Sequence, residues 1–444
     1  MKKHRFQPAQ ALALSFLSAI LVGTFLLWLP FSTESGRISL VDAFFTATSA
    51  ICVTGLTVRD TATFFSPAGQ AVILALVQLG GLGIMTFSTM ILLVAGRKIS
   101  FQDRIAVQED FSPKAIKDFR FLIRDIFLYT AAVELAGSLS LYFSLVKQFP
   151  WKRAVVLSVF HSISGFCNAG FSLFSDSLVS YRENVWLNAT MILLIVLGGL
   201  GFLVQKEVLG VLSRIPKRKK FQLSLHAKLV LVVSSGLVVG AFGLFLWMEA
   251  DHSLKALSPK GKVLASVFQA VTPRTAGFNT VDMAALGTAT SLLLMLLMFI
   301  GASPGSTGGG VKTSTVGVIF AFLRSKIMAK DSVGLFYRTI PSETITKSLT
   351  AISLALALVF LSSFVLVLNQ PAIVLRDALF EVFSAFGTVG LSLGLTPRLN
   401  ALGKIVIVLT MYIGRIGPLI LLSAMSRHRP KGKFDYAEES VMIG

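Results

Sequence analysis

Four glycine-centred tetrapeptides recur along this chain at nearly even spacing. They are Val53-Thr54-Gly55-Leu56, Asn168-Ala169-Gly170-Phe171, Thr275-Ala276-Gly277-Phe278 and Thr388-Val389-Gly390-Leu391. Their glycines lie between 107 and 115 residues apart, so one structural unit is repeated four times in the same polypeptide. We call these tetrapeptides the glycine segments. Four near-equivalent segments in one chain can surround a single axis, and this possibility constrains the fold more than any other feature.

The composition indicates an integral membrane protein. The chain has 444 residues, of which 54% are hydrophobic and 14% charged, whereas a soluble protein carries about 25% charged residues. Apolar runs of roughly twenty residues recur, and each is long enough to cross about 30 Å of hydrocarbon. The first run starts too early and is too long for a cleaved signal peptide. The predicted spans are 9–29, 70–96, 121–147, 186–212, 227–249, 288–323, 345–368 and 401–425.

Each unit has the same predicted order: a span, a short re-entrant helix, a glycine segment and a second span with a glycine-containing break. A helix of about a dozen residues rises too little to cross a bilayer, so its chain must enter the membrane and turn back. The predicted fold is therefore an all-α integral membrane protein with eight transmembrane helices and four re-entrant pore loops around a central pore. The four fused repeats cover residues 1–97, 98–214, 215–326 and 327–444.

Equivalent residues precede the glycine segments. Asp42 and Asp377 each stand 13 residues before their glycine and are predicted as helix N-caps. A phenylalanine ten residues before the glycine and a serine six residues before it recur in units one, two and four: Phe45, Phe160 and Phe380, and Ser49, Ser164 and Ser384. Unit three is out of step, because Phe268 is only nine residues before Gly277. We therefore expect a differently shaped approach to the third segment.

The charge distribution indicates a topology and argues against nucleic-acid binding. The formal net charge is +19, and most of the 41 Lys and Arg residues fall in the termini and in the segments between units. An excess of Lys and Arg marks the cytoplasmic side. Both termini are therefore predicted to be cytoplasmic. Clusters such as 217–220 and 427–429 are expected to contact anionic lipids rather than nucleic acid.

The glycine segments suit the binding of a dehydrated cation. Glycine adopts positive φ readily, so backbone carbonyls from four loops can face one axis and replace the water shell of a potassium ion. The predicted ion-binding residues are Val53, Thr54, Gly55, Asn168, Ala169, Gly170, Thr275, Ala276, Gly277, Thr388, Val389 and Gly390. Catalytic residues are not expected, because paired carboxylates, a metal cluster and an activated nucleophile are missing from the spans. Cys52 and Cys167 are expected to be small buried side chains at equivalent positions, and His161 a packed or hydrogen-bonded residue.

A glycine-rich run, residues 301–312, interrupts the second span of unit three. We call it the glycine-rich loop. It superficially suggests a phosphate-binding loop, but Val311 separates Gly310 from Lys312 and breaks the required spacing. Such a run cannot stay helical without a large entropic cost, so an irregular segment beneath the glycine segments is expected.

These residues resemble the pore-forming membrane subunits of the Trk/Ktr/HKT superfamily of potassium transporters, and are most similar to the bacterial Ktr type. The resemblance is carried by residues 54–56, 168–172, 272–279 and 384–391, and it covers almost the whole chain. It implies potassium uptake, with a preference for potassium indicated by Gly55. By the same resemblance the glycine-rich loop is the gate, and the implied gating residues are Gly305, Gly308, Gly309, Gly310, Lys312 and Arg415.

Alternatives stay open for two of the charged residues. Lys312 either adds a positive charge near the ion path or reaches the cytoplasmic interface. By the resemblance, Arg415 projects into the pore, where it either bonds the carbonyls of the loop or raises the barrier for cations. The alternative is a structural ion pair with Glu381 or Glu134, and both roles can coexist.

The resemblance also implies partners. It implies a homodimer in the bacterial plasma membrane and a separate cytoplasmic ring of RCK-type regulatory subunits that bind ATP or ADP, with NAD(H) and a sodium dependence as further expectations. The chain itself is expected to bind no cofactor besides the transported K+. A second hypothesis is an alternating-access secondary transporter of another cation or small solute. Such folds show inverted repeats, whereas these four units run in the same direction.

Overall fold

The computed structural model describes residues 8–83, 119–212, 223–419 and 421, and helices dominate them. We number the helices in chain order: α1 (Pro8–Trp28), α2 (Leu40–Ile51), α3 (Pro67–Leu82), α4 (Phe119–Leu145), α5 (Trp151–Phe166), α6 (Val185–Gly199), α7 (Phe202–Leu212), α8 (Leu225–Glu249), α9 (Pro259–Val271), α10 (Thr288–Phe299), α11 (Thr313–Ile327), α12 (Ser342–Asn369), α13 (Leu375–Gly387) and α14 (Ala401–Ile416). Short 3₁₀ turns lie at Pro30–Ser32, Val179–Tyr181, Met283–Ala285 and Thr396–Arg398.

Among the described residues, a long helix, a short helix and a further helix follow one another four times along the chain. Helices α1, α4, α8 and α12 open the units, and the short helices α2, α5, α9 and α13 each lead directly into a glycine segment. The short helices have 12, 16, 13 and 13 residues. At about 1.5 Å per residue they span roughly 18–24 Å, which is less than a bilayer core.

The prediction of eight spans stays a prediction. Within the described residues, three helices are long and apolar enough to cross a membrane: Arg124–Leu145, Leu225–Glu249 and Ser342–Asn369. A fourth candidate is α6 with α7, which are bent by 109° at their junction. The remaining apolar helices, Ala13–Trp28, Leu40–Ile51, Pro67–Leu82 and Thr288–Phe299, are shorter. The predicted spans 70–96 and 401–425, and the unit boundaries near 97 and 214, lie partly or wholly outside the described residues.

The second helix of each unit breaks at a glycine in the left-handed region. Gly83 (φ 76°) follows α3, Gly201 (φ 81°) separates α6 from α7, and Gly417 (φ 91°) follows α14. In unit three the break widens to residues 300–312 between α10 and α11, and it contains Gly305 (φ 71°). Only glycine adopts such angles at little cost, so these repeated glycines mark the ends of helices.

The prediction that Asp42 and Asp377 are N-caps is wrong. The N-cap of α2 is Ser39, whose hydroxyl accepts a hydrogen bond from Asp42 N at 3.0 Å, and the N-cap of α13 is Val374. Both aspartates lie in the first helical turn, where a negative charge still suits the helix dipole.

Asp42 instead joins the first unit to the fourth. Its buried carboxylate lies 2.6 Å from Lys404 Nζ on α14 and 3.2 Å from Arg59. A carboxylate with almost no solvent exposure needs such partners, and this pairing connects two units that are distant in sequence.

A small hairpin departs from the predicted all-α fold. Residues Gly334–Leu335 (β1) pair antiparallel with Arg338–Thr339 (β2), in the connection between α11 and α12. Phe336 and Tyr337 form its turn with φ of 49° and 60°. The strands are two residues long, so the fold remains predominantly helical.

Candidate functional site

The four glycine segments have the same unusual backbone. Each segment begins with a non-glycine residue at positive φ: Val53 (54°), Asn168 (58°), Thr275 (77°) and Thr388 (49°). Each glycine is also at positive φ: Gly55 (90°), Gly170 (69°), Gly277 (78°) and Gly390 (98°). Non-glycine residues in this region are uncommon, so its repetition at four equivalent positions marks a shared backbone structure.

The segments close into a ring. A methyl group added at Gly55 would lie 2.5 Å from the carbonyl oxygen of Ala169, and one at Gly170 would lie 3.0 Å from that of Ala276. A methyl group added at Gly277 would lie 2.2 Å from Val389 O, and one at Gly390 would lie 2.3 Å from Thr54 O. Each unit therefore contacts the next, and the fourth contacts the first.

The ring gathers backbone carbonyls in a buried place. Thr54, Ala169, Ala276 and Val389 contribute the carbonyls that face the neighbouring glycines, and all four residues are fully buried. Carbonyl oxygens held by the backbone are suitable ligands for a dehydrated monovalent cation. The close approach also explains the glycines, because any side chain there would meet a neighbouring backbone atom.

Hydroxyl groups at the ends of the short helices hold the segments. Ser49 and Ser384 accept hydrogen bonds from the N–H groups of Gly55 and Gly390, at 3.1 and 3.0 Å. Ser164 donates to Phe171 O at 2.7 Å. The sequence predicted these three serines as equivalent, and the structure gives all three a bond to their own segment.

Unit three uses a threonine that the sequence analysis missed. Thr272 donates to Phe278 O at 2.6 Å, the same kind of bond that Ser164 makes in unit two. Thr272 lies five residues before Gly277, one fewer than the serines of the other units. The early position of Phe268 was the signal of this shortening, which falls between Thr272 and Thr275.

A polar cavity of about 520 Å³ opens on the ring, and all four segment glycines line it. Three acidic residues, Asp60, Asp176 and Asp282, also line it, one from each of the first three units. Each carboxylate accepts hydrogen bonds from nearby backbone N–H groups. Their negative charge favours cations in this cavity.

The glycine-rich loop lies against the first residues of the glycine segments. The buried Asn168 amide lies 3.3 Å from Thr307 Oγ1. Gly309 N donates to Thr388 Oγ1 at 2.9 Å. Gly308 is so close to Thr275 that an added methyl would lie 2.3 Å from Thr275 Oγ1. The loop therefore contacts segments two, three and four, on the side where each begins.

Thr307 makes several hydrogen bonds to residues outside the loop, and the sequence analysis did not single it out. Its hydroxyl donates to the carbonyls of Gly198 and Phe166, at 3.1 and 3.3 Å, and its N–H donates to Gly198 O at 3.2 Å. The only signal was a hydroxyl residue inside a run of glycines.

The predicted gating residues hold the loop in place. Arg415 donates to Thr307 O in the loop and to Gly80 O at the end of α3. Lys312 donates to Gly308 O at 2.8 Å and is half-buried at the start of α11. Gly305 O accepts from Phe202 N at 3.1 Å, and Gly310 N donates to Gly414 O at 3.4 Å. Arg415 thus connects the loop with units one and four.

Other predicted residues are where the sequence placed them. Cys52 and Cys167 are both free and buried, and both are C-cap residues, of α2 and α5. His161 is buried and hydrogen-bonded. Across the described part of the chain, groups of three or more metal-binding His, Cys, Asp or Glu side chains are absent.

Comparisons with known proteins agree on one family. A family model described as a TrkH cation transport protein matches residues 3–435. The potassium uptake protein B of the Ktr system of Bacillus subtilis is 41% identical, with 99% of this chain and 97% of the relative aligned. The potassium/sodium uptake protein NtpJ of Enterococcus hirae is 37% identical, over 100% of this chain and 99% of the relative.

A solved structure shares the fold. The potassium transporter TrkH from Vibrio parahaemolyticus superposes with a TM-score of 0.70 at 21% identity, over 96% of this chain and 86% of that one. The family model and the full-length relatives together show that this chain belongs to the TrkH family of cation transport proteins.

Proposed function

We propose that this protein takes up potassium ions through the ring of glycine segments. The observation that carries the proposal is the closed ring itself, in which four repeated segments of identical backbone pattern bring four carbonyl groups together. Such a ring offers a potassium ion the oxygens that it loses with its water shell. The full-length relatives named as potassium uptake proteins support the same substrate.

The ion path runs from the acidic cavity through the ring to the glycine-rich loop. The cavity collects cations beside Asp60, Asp176 and Asp282. The short helices point their carboxyl ends toward the ring, and the negative ends of their dipoles favour a cation there.

The glycine-rich loop is the gate in this proposal. It lies against the start of three segments and is held by hydrogen bonds from Thr307, Arg415 and Gly309. Opening requires these bonds to break and the loop to move away from the ring. Gly305, Gly308 and Gly310 give the loop the backbone freedom for such a movement, and Lys312 donates to Gly308 O within the loop itself.

Regulation by a partner follows from the same proposal. A cytoplasmic ring of nucleotide-binding subunits of the RCK type would pull on the segments adjoining the loop, with ATP and ADP, and NAD(H) as a further ligand, bound to that partner. Two copies of this chain would form a homodimer in the bacterial plasma membrane, with both termini in the cytoplasm and anionic lipids at the basic face. The name of the Ktr-system relatives suits a system of several components.

Sodium is part of the proposal in a limited way. A relative 37% identical is named as a potassium/sodium uptake protein. We propose that sodium activates or accompanies potassium uptake by this chain.

The experiment that tests the proposal is potassium uptake in cells without their own potassium importers. The chain would be expressed alone and with a Ktr-type regulatory ring, and cation flux would be measured beside growth at low potassium. We expect potassium flux that increases with the ring. Absence of flux in both conditions, with the protein shown to be in the membrane, would favour alternating-access transport of another solute.

The gate has its own test. Deletion of part of 305–310 should raise the basal potassium flux, because the segment beneath the ring is shortened. A lower flux from a correctly inserted protein would show that the loop is not the gate.

A further inference from the structure

Each short helix places one buried polar side chain behind its glycine segment. The four residues are equivalent in position, nine residues before the glycine in units one, two and four and eight in the shortened unit three. They are Thr46, His161, Gln269 and Glu381, and all are at most 2% exposed. Their chemistry differs, and so do the bonds that they make.

In unit four, Glu381 holds the chain that follows the segment. Its carboxylate accepts a hydrogen bond from Ser392 Oγ at 2.7 Å and another from Thr396 Oγ1. Ser392 lies two residues after Gly390 and in turn accepts from Gly394 N at 3.1 Å. One buried carboxylate thereby fixes the chain that follows segment four, at Ser392 and Thr396.

In unit two, His161 makes the same arrangement. Its Nδ1 lies 2.8 Å from Leu157 O and carries the proton, because a carbonyl oxygen can only accept. Nε2 then accepts a hydrogen bond from the hydroxyl of Ser172, whose Oγ is 3.0 Å away. Ser172 lies two residues after Gly170 and accepts from Phe174 N at 2.9 Å. In both units a side chain of the short helix therefore holds a serine, which holds the backbone two residues further on.

Units one and three lack this arrangement. Thr46 Oγ1 donates to Asp42 O within its own helix at 2.9 Å. Of the described residues, none bonds the polar atoms of the buried Gln269 amide. Because Gly170 neighbours Gly55 and Gly277 in the ring, units two and four face each other across its centre. Among the described residues, a brace from the short helix is thus present on one diagonal only. In unit three the chain after the segment is held instead by unit two, because Asn279 N donates to Ser177 Oγ at 3.1 Å and Asn279 O accepts from Leu178 N at 3.0 Å.

We propose that Glu381 and His161 are positioning residues that set the discrimination between potassium and sodium by bracing segments two and four. The inference rests on the proposed function, because it assigns the specificity of the same ring. Sodium is smaller than potassium, so carbonyls must move inward to bind it well. A brace from the short helix that fixes two opposite segments opposes this contraction.

The test compares matched substitutions at equivalent sites. Glu381→Leu removes both carboxylate acceptors. Ser392→Ala changes the side-chain volume less and removes the hydroxyl through which the carboxylate holds the chain after the segment. Gln269→Leu is the control, because it makes a similar change at the equivalent site and loses no hydrogen bond. Glu381→Gln keeps an acceptor and should be intermediate.

The first readout is the ratio of potassium to sodium flux, normalised to protein in the membrane. We expect a roughly fivefold fall in Glu381→Leu and in Ser392→Ala, and a change below about twofold in Gln269→Leu. An unchanged ratio in Ser392→Ala, or an equal fall in Gln269→Leu, would overturn the inference.

The second readout is the thermal stabilisation of the purified protein by KCl relative to NaCl, which needs no transport. We expect the difference between the two salts to shrink in Glu381→Leu and to persist in Gln269→Leu. If the wild-type protein shows no potassium flux, the proposed function is contradicted. The difference in thermal stabilisation between KCl and NaCl still tests the braces in that case. A wild type that treats both ions alike in both measurements overturns the inference, because there is then no discrimination to set.

Discussion

The ring of glycine segments and the glycine-rich loop are adjacent and both rich in glycine, but they are held differently. In the ring, glycine Cα atoms and carbonyls of neighbouring units are in direct contact, and hydroxyls of the short helices fix each segment. The loop lies close to the side chains of Thr275 and Thr388, but it is joined to other elements chiefly by hydrogen bonds of Thr307 and Arg415. Close backbone contact resists movement, whereas hydrogen bonds can be exchanged for water. The same residue type therefore serves a fixed structure and a releasable one.

The largest effect is expected from Gly390→Ala in the ring. The added methyl would lie 2.3 Å from Thr54 O, and the residue must keep a φ of 98°. We expect potassium flux to fall by roughly a hundredfold or more, because the backbone of two units must separate. Isotope or rubidium uptake at equal protein levels measures the loss.

Gly394→Ala is the matched control for this change. Gly394 has a similar φ of 88° in the same unit, but no atom lies within 4 Å of the methyl position. It shares the backbone strain, about 1–2 kcal/mol, without the crowding. Equal losses of flux in both variants would mean that strain alone matters and that the contact within the ring is unimportant.

A smaller change of opposite sign is expected from Thr307→Val in the loop. The substitution keeps the shape but removes the hydroxyl that donates to Gly198 O and Phe166 O. Losing this anchor should weaken the closed position and raise the basal flux roughly tenfold, as expected for about 1.5 kcal/mol.

Thr24→Val provides the comparison, because this buried hydroxyl donates only to Ile20 O of its own helix. Its basal flux should stay near that of the wild type. If Thr307→Val leaves basal flux unchanged while the protein inserts normally, the hydrogen bonds of Thr307 do not hold the loop closed.

The difference between the ring and the loop also explains how much of each could be predicted from the sequence. The ring could be predicted because it is repeated: four glycines, three serines and three phenylalanines recur at fixed offsets, and the early Phe268 even indicated the shortened unit. The order of the segments around the ring could be seen only in the structure. The role of Thr272 in place of a serine could not be predicted either, because a single threonine gives no periodic signal.

The loop occurs once, so its contacts could not be inferred from comparison between units. Its irregular backbone followed from its glycine content, but the bonds from Thr307 to Phe166 and Gly198 join residues more than a hundred positions apart. The assignment of Asp42 as an N-cap failed for a related reason. Ser39, three residues earlier, was available as the cap, and Lys404 from the fourth unit was available as an ion-pair partner.

A moderate effect is expected from Arg415→Lys. The guanidinium group donates to the loop at Thr307 O and to α3 at Gly80 O, and its planar fork serves both acceptors at once. A lysine keeps the positive charge but reaches both carbonyls poorly. Basal flux should therefore rise by about threefold, less than in Thr307→Val. A fall in flux would contradict the role of these two hydrogen bonds in holding the loop closed.

The smallest effect tests the ring at its irregular unit. Thr272→Val removes the bond to Phe278 O, whereas Thr272→Ser retains a hydroxyl. Since the other three segments keep their serine bonds and the ring contacts persist, we expect the ratio of potassium to sodium flux to fall only about twofold in Thr272→Val and to stay unchanged in Thr272→Ser. If Thr272→Val also lowered potassium flux as much as Gly390→Ala does, the hydroxyls, and not the contacts between glycines, would carry the rigidity of the ring. The distinction between a fixed ring and a releasable loop would then be one of degree, because both would depend on single hydrogen bonds.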